Sequence, residues 1–354
     1  MIAILLFTSV VFPAFAQNGA NTPSGDVNGD GRTNSRDARL ALRGAARIET
    51  LSAEQTARAD MNADGVLRSG DARAILQIAA KTGAYHEMVV RGSNTGTKNT
   101  YTGYESLPEI HYTATDPNNK KGLSKKTVNH SFGVAKNGKV HSISYESQKF
   151  FDEKGFDAVT YDNKTEKKVL YLTFDCGYEN GNTGKILDTL KEKGVSAAFF
   201  CTLPQVKSAP ELTKRMILEG HIVGNHSVHH PNFTKISAEK MAQELEEFDN
   251  YLRRYFGYCS SYFRYPEGAY SEYALSEVNS HGFRILFWSI AYEDWNESNQ
   301  RGADYAYRTV VSRLHPGAVI LLHAVSRDNA AALGRIIDEA RAQGYEFRRL
   351  TDLP

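Results

Sequence analysis

From about residue 165 onward, short apolar runs alternate with segments whose apolar residues recur at helical spacing. The runs VLYLTFD (169–175), VSAAFFC (195–201) and AVILLH (318–323) are candidates for buried strands. Glycine, which adopts the left-handed conformation that closes a helix, ends the intervening helical segments at Gly194, Gly220, Gly282 and Gly344. This alternation predicts an α/β fold with a parallel sheet or barrel, in which active-site residues gather at the carboxyl ends of the strands.

The less common polar residues of this region stand where the predicted strands end. Asp175 ends the first strand, Arg264 lies at the end of SSYFRYP (260–266), and His323 ends AVILLH. Unrelated core or surface residues would not be expected to line up in this way. We therefore expect one site, built from Asp175, His226, His230, Arg264, Asp294 and His323.

In chain order, the motifs TFD, HSVHHP, RYPEG, DW and LLH resemble the NodB-type polysaccharide deacetylases of carbohydrate esterase family 4. The longer stretches TFDCGYENGNTGKIL, GNHSVHHPN, AYEDW and LLHAVSRDNAAAL are similar to its PdaA-type subgroup, the delta-lactam-biosynthetic muramic acid de-N-acetylases, as is SFGVAKNGK (131–139). The resemblance covers roughly residues 128 to 352. It implies a distorted (β/α) barrel that hydrolyses an acetyl group from a glycan.

His226 and His230 stand at positions i and i+4, so both imidazoles can reach one metal if the intervening turn is helical or tightly bent. Two imidazoles suit Zn²⁺, Co²⁺ or Fe²⁺. We expect one divalent transition metal, with Zn²⁺ the first candidate. Its other ligands must come from elsewhere in the chain or from water.

The resemblance implies an acid and a base for the reaction. Asp175 would be the general base for the attacking water, with Arg264 holding the carboxylate ionised and aimed. His323 would be the acid that protonates the leaving amine, and Asp294 would keep its imidazole charged.

By the same resemblance, we expect three further positions at the substrate pocket. The backbone N–H of Glu267, after the turn at Pro266, could stabilise the oxyanion. Trp295 and Leu321 could wall an acetyl-sized pocket, and ordinary core packing explains these two residues equally well.

Cys176 stands where most of the wider family has an aspartate that binds the metal. The PdaA-type subgroup resembles this chain in lacking that aspartate and in the Gly-Tyr-Glu-Asn that follows. Three possibilities remain open: Asp175 binds the metal itself, Cys176 binds it as a thiolate, which would favour Zn²⁺, or Cys176 fills space. Because the acid, base and electrophile candidates are all present, we expect an active enzyme.

A duplicated motif precedes this region. DVNGDGRTNSRDARLALRGAA begins at Asp26 and DMNADGVLRSGDARAILQIAA at Asp60, and both read D-x-N-x-D-G-x-x-x-S-x-D before a helical pattern. Oxygen side chains at positions 1, 3, 5 and 12 with glycine at position 6 are typical of EF-hand-type Ca²⁺ loops. The predicted ligands are Asp26, Asn28, Asp30, Asn34 and Asp37 in the first loop, and Asp60, Asn62, Asp64 and Asp71 in the second.

The final ligand of each loop is Asp rather than Glu, and only the exiting helix is clear. Both features resemble the type I dockerin family over roughly residues 24 to 83. That resemblance implies two bound Ca²⁺ and docking onto a cohesin module of a scaffoldin. Partner choice in the family depends on loop positions 10 and 11, which here are Ser35-Arg36 and Ser69-Gly70.

The N-terminal stretch IAILLFTSVVF, followed by Pro-Ala-Phe-Ala, is typical of a signal peptide with an A-x-A cleavage site. It is shorter than the roughly 20 apolar residues that a transmembrane anchor needs. We expect a protein without a transmembrane anchor that is secreted and extracellular or cell-wall associated. The expected layout is a signal peptide at 1–16, a small all-α dockerin-like domain at 20–83, a polar linker at 84–127 and the deacetylase at 128–354.

The 42 Lys and Arg residues almost cancel the 41 Asp and Glu residues, so no global field would recruit nucleic acid. The expected substrate is the N-acetyl group of muramic acid in peptidoglycan, the step before delta-lactam formation in spore cortex. The dockerin-like module favours a second substrate class, acetyl xylan or chitin oligomers in a cellulosome. A non-catalytic glycan-binding module is the alternative of another class, and loss of Asp175, Arg264 or His323 would have favoured it.

Overall fold

The computed structural model describes residues 25–29, 33, 35–61, 66–69, 71–72, 74–76 and 106–354. The chain divides into two compact units, Met1–Thr82 and Gly83–Pro354. In the described part of the first unit, helix α1 spans Ser35–Ala45 and helix α2 spans Ala53–Ala59. Ser52 and Gln55 form a capping box that satisfies backbone N–H groups at the start of α2.

The second unit alternates strands and helices. Its strands are Val128–Asn129 (β1), Ala158–Val159 (β2), Val169–Cys176 (β3), Ala198–Cys201 (β4), Ile222–Asn225 (β5), Tyr262–Phe263 (β6), Ala269–Tyr270 (β7), Arg284–Leu286 (β8), Ala318–His323 (β9) and Glu346–Arg348 (β10). Its α-helices are Ser142–Lys154 (α3), Thr183–Lys193 (α4), Leu203–Ser208 (α5), Pro210–Leu218 (α6), Ala238–Phe256 (α7), Glu272–Ser280 (α8), Ala303–Val311 (α9) and Arg327–Ala342 (α10).

The strands form a curled parallel sheet in the order β10-β3-β4-β5-β6-β8-β2, and β9 also pairs with β3. A parallel bridge between Ile290 and Ile320 joins the segment after β8 to β9 and so draws the sheet towards a barrel. The short strands β1 and β7 form a separate antiparallel pair. The predicted α/β fold, a distorted (β/α) barrel, is confirmed.

Strand β3 shows why the site forms where it does. All eight of its residues are buried, and its alternate side chains Leu170, Leu172 and Phe174 pack into the main hydrophobic cluster under the helices. The intervening positions face the other side of the sheet. Asp175 is therefore directed away from the helices, at the carboxyl end of the strand.

Residues 106–127, which were predicted to belong to the linker, pack against the rest of the second unit. The Ile110 N–H donates to Asn250 Oδ1 at 2.9 Å, and the Tyr112 hydroxyl donates to Asp249 Oδ2 at 3.0 Å. The polar composition was misleading because side chains of α7 satisfy polar groups of this segment.

Among the residues that the structure describes, no helix has the length and apolar content that crossing a membrane requires. The predicted signal peptide lies outside the described residues.

Candidate active site

A cavity of about 580 Å³ opens at the carboxyl ends of the strands. Seven of the residues predicted for the site line it: Asp175, His226, His230, Glu267, Trp295, Leu321 and His323. Arg264 and Asp294 lie behind them, with exposed fractions of 0% and 2%. The fold thus brings together residues that are more than 140 positions apart in sequence, such as Asp175 and His323.

Asp175 and Arg264 form a buried ion pair. Arg264 Nη1 donates to Asp175 Oδ1 at 2.8 Å, and Arg264 Nη2 donates to Thr173 Oγ1 at 3.0 Å. The guanidinium also donates to the backbone carbonyls of Leu286 and Phe287, which fixes its orientation. Burial opposes ionisation of Asp175, but the charge and hydrogen bond of Arg264, together with the nearby His226 and His323, outweigh it, and the pKa of Asp175 lies below its usual range.

His226 is held with one ring nitrogen directed to this pair. Its Nδ1 lies 2.9 Å from the backbone carbonyl of Arg264, and because a carbonyl can only accept, Nδ1 carries the hydrogen. Burial lowers the pKa of His226 to about 4, so the ring is neutral at pH 7 and Nε2 offers a lone pair. This Nε2 lies 3.7 Å from Asp175 Oδ2.

His230 lines the same cavity, with its ring centroid 4.9 Å from that of His226. The described residues contain no ready-assembled cluster of three His, Cys, Asp or Glu side chains around one point. A carboxylate oxygen and a lone-pair imidazole nitrogen that face each other nevertheless fit a divalent transition metal. With His230 as a further donor, the set suits a catalytic site with open coordination positions rather than a closed structural one.

Cys176 is directed to the other face of β3. Its side chain is fully buried in the cluster that contains Phe174, and Cys201 lies opposite it in register on the neighbouring strand β4. A hydrogen bond with Cys201 and burial both raise the pKa of the Cys176 thiol, which disfavours the thiolate that a metal would need. This placement disagrees with Cys176 as a metal ligand and favours the third possibility, a space-filling role. Cys176, Cys201 and Cys259 are all free thiols.

His323 and Asp294 form a second charged pair. Their Nδ1 and Oδ1 atoms are 2.7 Å apart, and the His323 backbone N–H donates to Asp294 Oδ2 at 2.8 Å. Burial disfavours the imidazolium, but the charge and hydrogen bond of Asp294, with a further contribution from Asp175, outweigh burial and raise the pKa of His323. Because Nδ1 is engaged by Asp294, the other ring nitrogen is the one available to donate a proton.

Asn329 was missed as an individual residue in the sequence interpretation. Its side-chain amide donates to Asp294 Oδ2, and its Oδ1 accepts from the Tyr292 hydroxyl. These bonds fix the carboxylate that orients His323. The signal lay in the stretch LLHAVSRDNAAAL, where Asn329 follows the histidine by six positions.

Asp294→Asn is expected to shift the alkaline limb of the kcat/KM profile to lower pH. That limb appears when His323 loses its proton, and the Asp294 charge raises the pKa of His323. The measurement is acetate release as a function of pH. Asp304→Asn, at an exposed carboxylate paired with Arg335, is the matched control. An unchanged limb in Asp294→Asn would contradict the assignment of the acid.

The cavity walls include residues from both ends of the second unit. Trp295 is 47% exposed and its ring lies 5.5 Å from that of His323, whereas Leu321 is buried. Glu267 has a left-handed backbone (φ 59°) in a short turn after Pro266. The sequence analysis did not identify five other residues of the cavity wall: Asn129, His130, Ser131, Phe132 and Trp288. Of these, Ser131 and Phe132 lie in the motif SFGVAKNGK, which was the available signal.

In the described parts of the duplicated loops, carboxylate side chains accept hydrogen bonds from backbone N–H groups of the same loop. In the first loop, Asp37 Oδ1 accepts from the Asn28 N–H at 3.1 Å, and Asp26 Oδ1 accepts from the Gly29 N–H at 2.9 Å. In the second loop, Asp71 accepts from two backbone N–H groups of the same loop, and Asp37 and Asp71 are both buried. Buried carboxylates in an all-oxygen set fit Ca²⁺. Asp30, Asn34, Asn62 and Asp64 lie outside the described residues.

A parallel β/α sheet that brings a carboxylate paired with arginine, two histidines and a carboxylate-paired imidazole to one cavity fits a hydrolase that acts on acyl groups. The polysaccharide deacetylase family matches residues 162–286, and the dockerin type I domain matches residues 24–77. The peptidoglycan-N-acetylmuramic acid deacetylase PdaA of Bacillus subtilis is 46% identical over 194 residues, which cover 54% of this chain and 74% of that protein.

Two solved structures also match. The structure of Bacillus subtilis PdaA, a family 4 carbohydrate esterase, is 41% identical with a TM-score of 0.62, covering 65% of this chain and 98% of that one. A family 4 carbohydrate esterase from Bacillus anthracis is 40% identical with a TM-score of 0.53, covering 65% and 97%. The chain therefore belongs to the polysaccharide deacetylases of carbohydrate esterase family 4, hydrolases of N-acetyl amide bonds, and it carries a type I dockerin domain.

Proposed function

We propose that this protein is a secreted, metal-dependent deacetylase that removes the N-acetyl group of muramic acid in peptidoglycan. The observation that carries the proposal is the meeting of two charged pairs, Asp175 with Arg264 and His323 with Asp294, at the cavity that His226 lines. The likeness to PdaA over 74% of that protein's length supports the choice of glycan.

When bound by His226, His230 and Asp175, a divalent metal would activate water and polarise the acetamide carbonyl. The protein's own residues supply the proton transfers. Asp175 stays ionised because Arg264 faces it, so its carboxylate can take a proton from the attacking water.

His323 supplies the complementary proton. Asp294 raises the pKa of its imidazole and so favours the protonated form, from which Nε2 can donate to the nitrogen of the leaving amine. Trp295 and Leu321 form apolar surface at the cavity, which suits an acetyl methyl group. We retain the backbone N–H of Glu267 as the proposed oxyanion donor.

The direct test is acetate release by the purified protein from peptidoglycan stripped of stem peptides, compared with acetyl xylan and chitin oligomers. Each substrate is assayed with added Zn²⁺ and after chelation. We expect release from the peptidoglycan glycan alone, and only with metal. Release from acetyl xylan or chitin oligomers alone would show that the proposed peptidoglycan substrate is wrong. A non-catalytic binding module would release acetate from none of the three.

The dockerin domain favours acetyl xylan or chitin oligomers as a second candidate substrate class, because docking would bring the enzyme to a scaffold. We propose that this domain binds a cohesin module of a scaffoldin through two Ca²⁺ loops. We also propose cleavage after residue 16, export to the cell exterior or wall, and a tether between the dockerin domain and residue 106. A role in sporulation is part of the same proposal.

Removing Ca²⁺ is expected to unfold the dockerin domain and leave the deacetylase active. Each loop holds a buried carboxylate, Asp37 in the first and Asp71 in the second, and without the cation the carboxylates within a loop lose the positive charge that offsets their repulsion. The measurement is amide hydrogen exchange of peptides from residues 24–83 after EGTA treatment, with Zn²⁺ then restored for the acetate assay. Acetate release that falls in step with dockerin exchange would contradict independent units.

A further inference from the structure

The two histidines proposed as metal ligands lie on a loop with an uncommon backbone. Ser227 (φ 67°) and His230 (φ 54°) both adopt the left-handed conformation, which is costly for residues other than glycine. Such a conformation persists only when surrounding groups fix it. The loop therefore needs support from elsewhere in the fold to hold both imidazoles at one cavity.

Side-chain oxygens accept hydrogen bonds from the four consecutive backbone N–H groups of residues 227–230. The pairs are Ser227 N–H with Asn225 Oδ1 (2.8 Å), Val228 and His229 N–H with Glu244 Oε2 (3.0 and 2.8 Å), and His230 N–H with Ser227 Oγ (3.0 Å). Asn225 and Ser227 belong to the loop or to the strand before it. Glu244, on α7, is the acceptor that comes from a different element.

Burial and hydrogen bonds hold the Glu244 carboxylate in a fixed position. Its side chain is fully buried, and its second oxygen, Oε1, lies 2.8 Å from His229 Nδ1 and 3.0 Å from Lys240 Nζ. Burial opposes ionisation, but hydrogen bonds from His229 and Lys240 hold the pKa of Glu244 below its usual range. The two oxygens are thus fully used, one by the loop backbone and the other by two side chains.

We propose that Glu244 is a positioning residue for the metal site: it clamps the loop between His226 and His230 so that both imidazoles reach one ion. This inference rests on the proposed metal dependence. Glu244 contacts the loop through hydrogen bonds to Oε2. For metal binding, the length of the side chain should therefore matter more than its charge.

Two variants separate reach from charge. Glu244→Asp keeps the charge and withdraws the oxygens from the loop, whereas Glu244→Gln keeps the reach and removes the charge. The full-length protein, stripped of transition metal and saturated with Ca²⁺, is titrated with Zn²⁺ by equilibrium dialysis. We expect Glu244→Asp to weaken Zn²⁺ binding about 10-fold to 100-fold and Glu244→Gln to stay within a few-fold of wild type.

Glu247→Asp is the matched control, because this exposed residue on the same helix pairs only loosely with Lys207. His226→Ala tests the underlying site. If His226→Ala binds Zn²⁺ like wild type, the proposed metal site is wrong. If His226→Ala loses Zn²⁺ while Glu244→Asp retains wild-type affinity, the clamp is wrong. Should Glu244→Asp fail to fold, an affinity loss of 10-fold or more in folded Glu244→Gln would equally overturn the clamp.

Discussion

Asp175→Asn is expected to lower kcat/KM for acetate release by about 10²- to 10⁴-fold, the usual contribution of a general base. The side chain keeps its shape and can still accept from Arg264 Nη1, so substrate access is retained. The amide, however, cannot take a proton from water. The substitution also removes the carboxylate that pairs with Arg264, so the guanidinium becomes an unpaired buried charge.

The control is Asp162→Asn, which makes the same chemical change at another buried carboxylate. Asp162 Oδ2 accepts from the Tyr171 hydroxyl, outside the set of cavity-lining residues. It should retain wild-type kcat/KM. Far-UV circular dichroism of both variants checks that they fold. A rate for folded Asp175→Asn within about 10-fold of wild type would contradict its role as the base.

The strand and helix pattern predicted the fold and the place of the site because parallel strands share one carboxyl edge. Asp175 and His323 end strands β3 and β9, which pair in register, so their meeting follows from the alternation alone. The start of helix α7 follows from a local signal of the same kind, since the Ser237 hydroxyl accepts from the Lys240 N–H and caps the helix.

The contributions of Glu244 and His130 could not be predicted in the same way. Each acts through a contact across a long sequence separation, such as His130 Nε2 with the Trp288 carbonyl at 2.8 Å, and no local pattern encodes such a pair. Cys176 shows the reverse limit. It was a candidate ligand because most of the wider family has a metal-binding aspartate at this position, but successive residues of a strand face opposite sides, and this alternation places the thiol in the core.

Arg264→Met is expected to lower the free energy of unfolding by about 3–5 kcal/mol at pH 7, because it leaves the buried Asp175 carboxylate without its counter-charge. In the wild type, the pKa of Asp175 is lowered, so the stabilisation from the pair is complete above its ordinary range and is lost as the pH falls through the lowered pKa. The measurement is urea unfolding of the metal-free protein at pH 7, followed separately for the deacetylase unit.

The same chain offers a test of whether the pair or its separate hydrogen bonds provide this stability. In the wild-type background, Asp175→Asn removes the only described carboxylate that pairs with Arg264, so it should be destabilising. In the Arg264→Met background, Asp175→Asn removes an unpaired buried charge, so it should cost less or even stabilise. A coupling of about 1 kcal/mol or more between the two substitutions is expected. Additive effects would mean that the hydrogen bonds of Arg264 to Thr173 and to the Leu286 and Phe287 carbonyls hold it in place, and that charge pairing with the base contributes little.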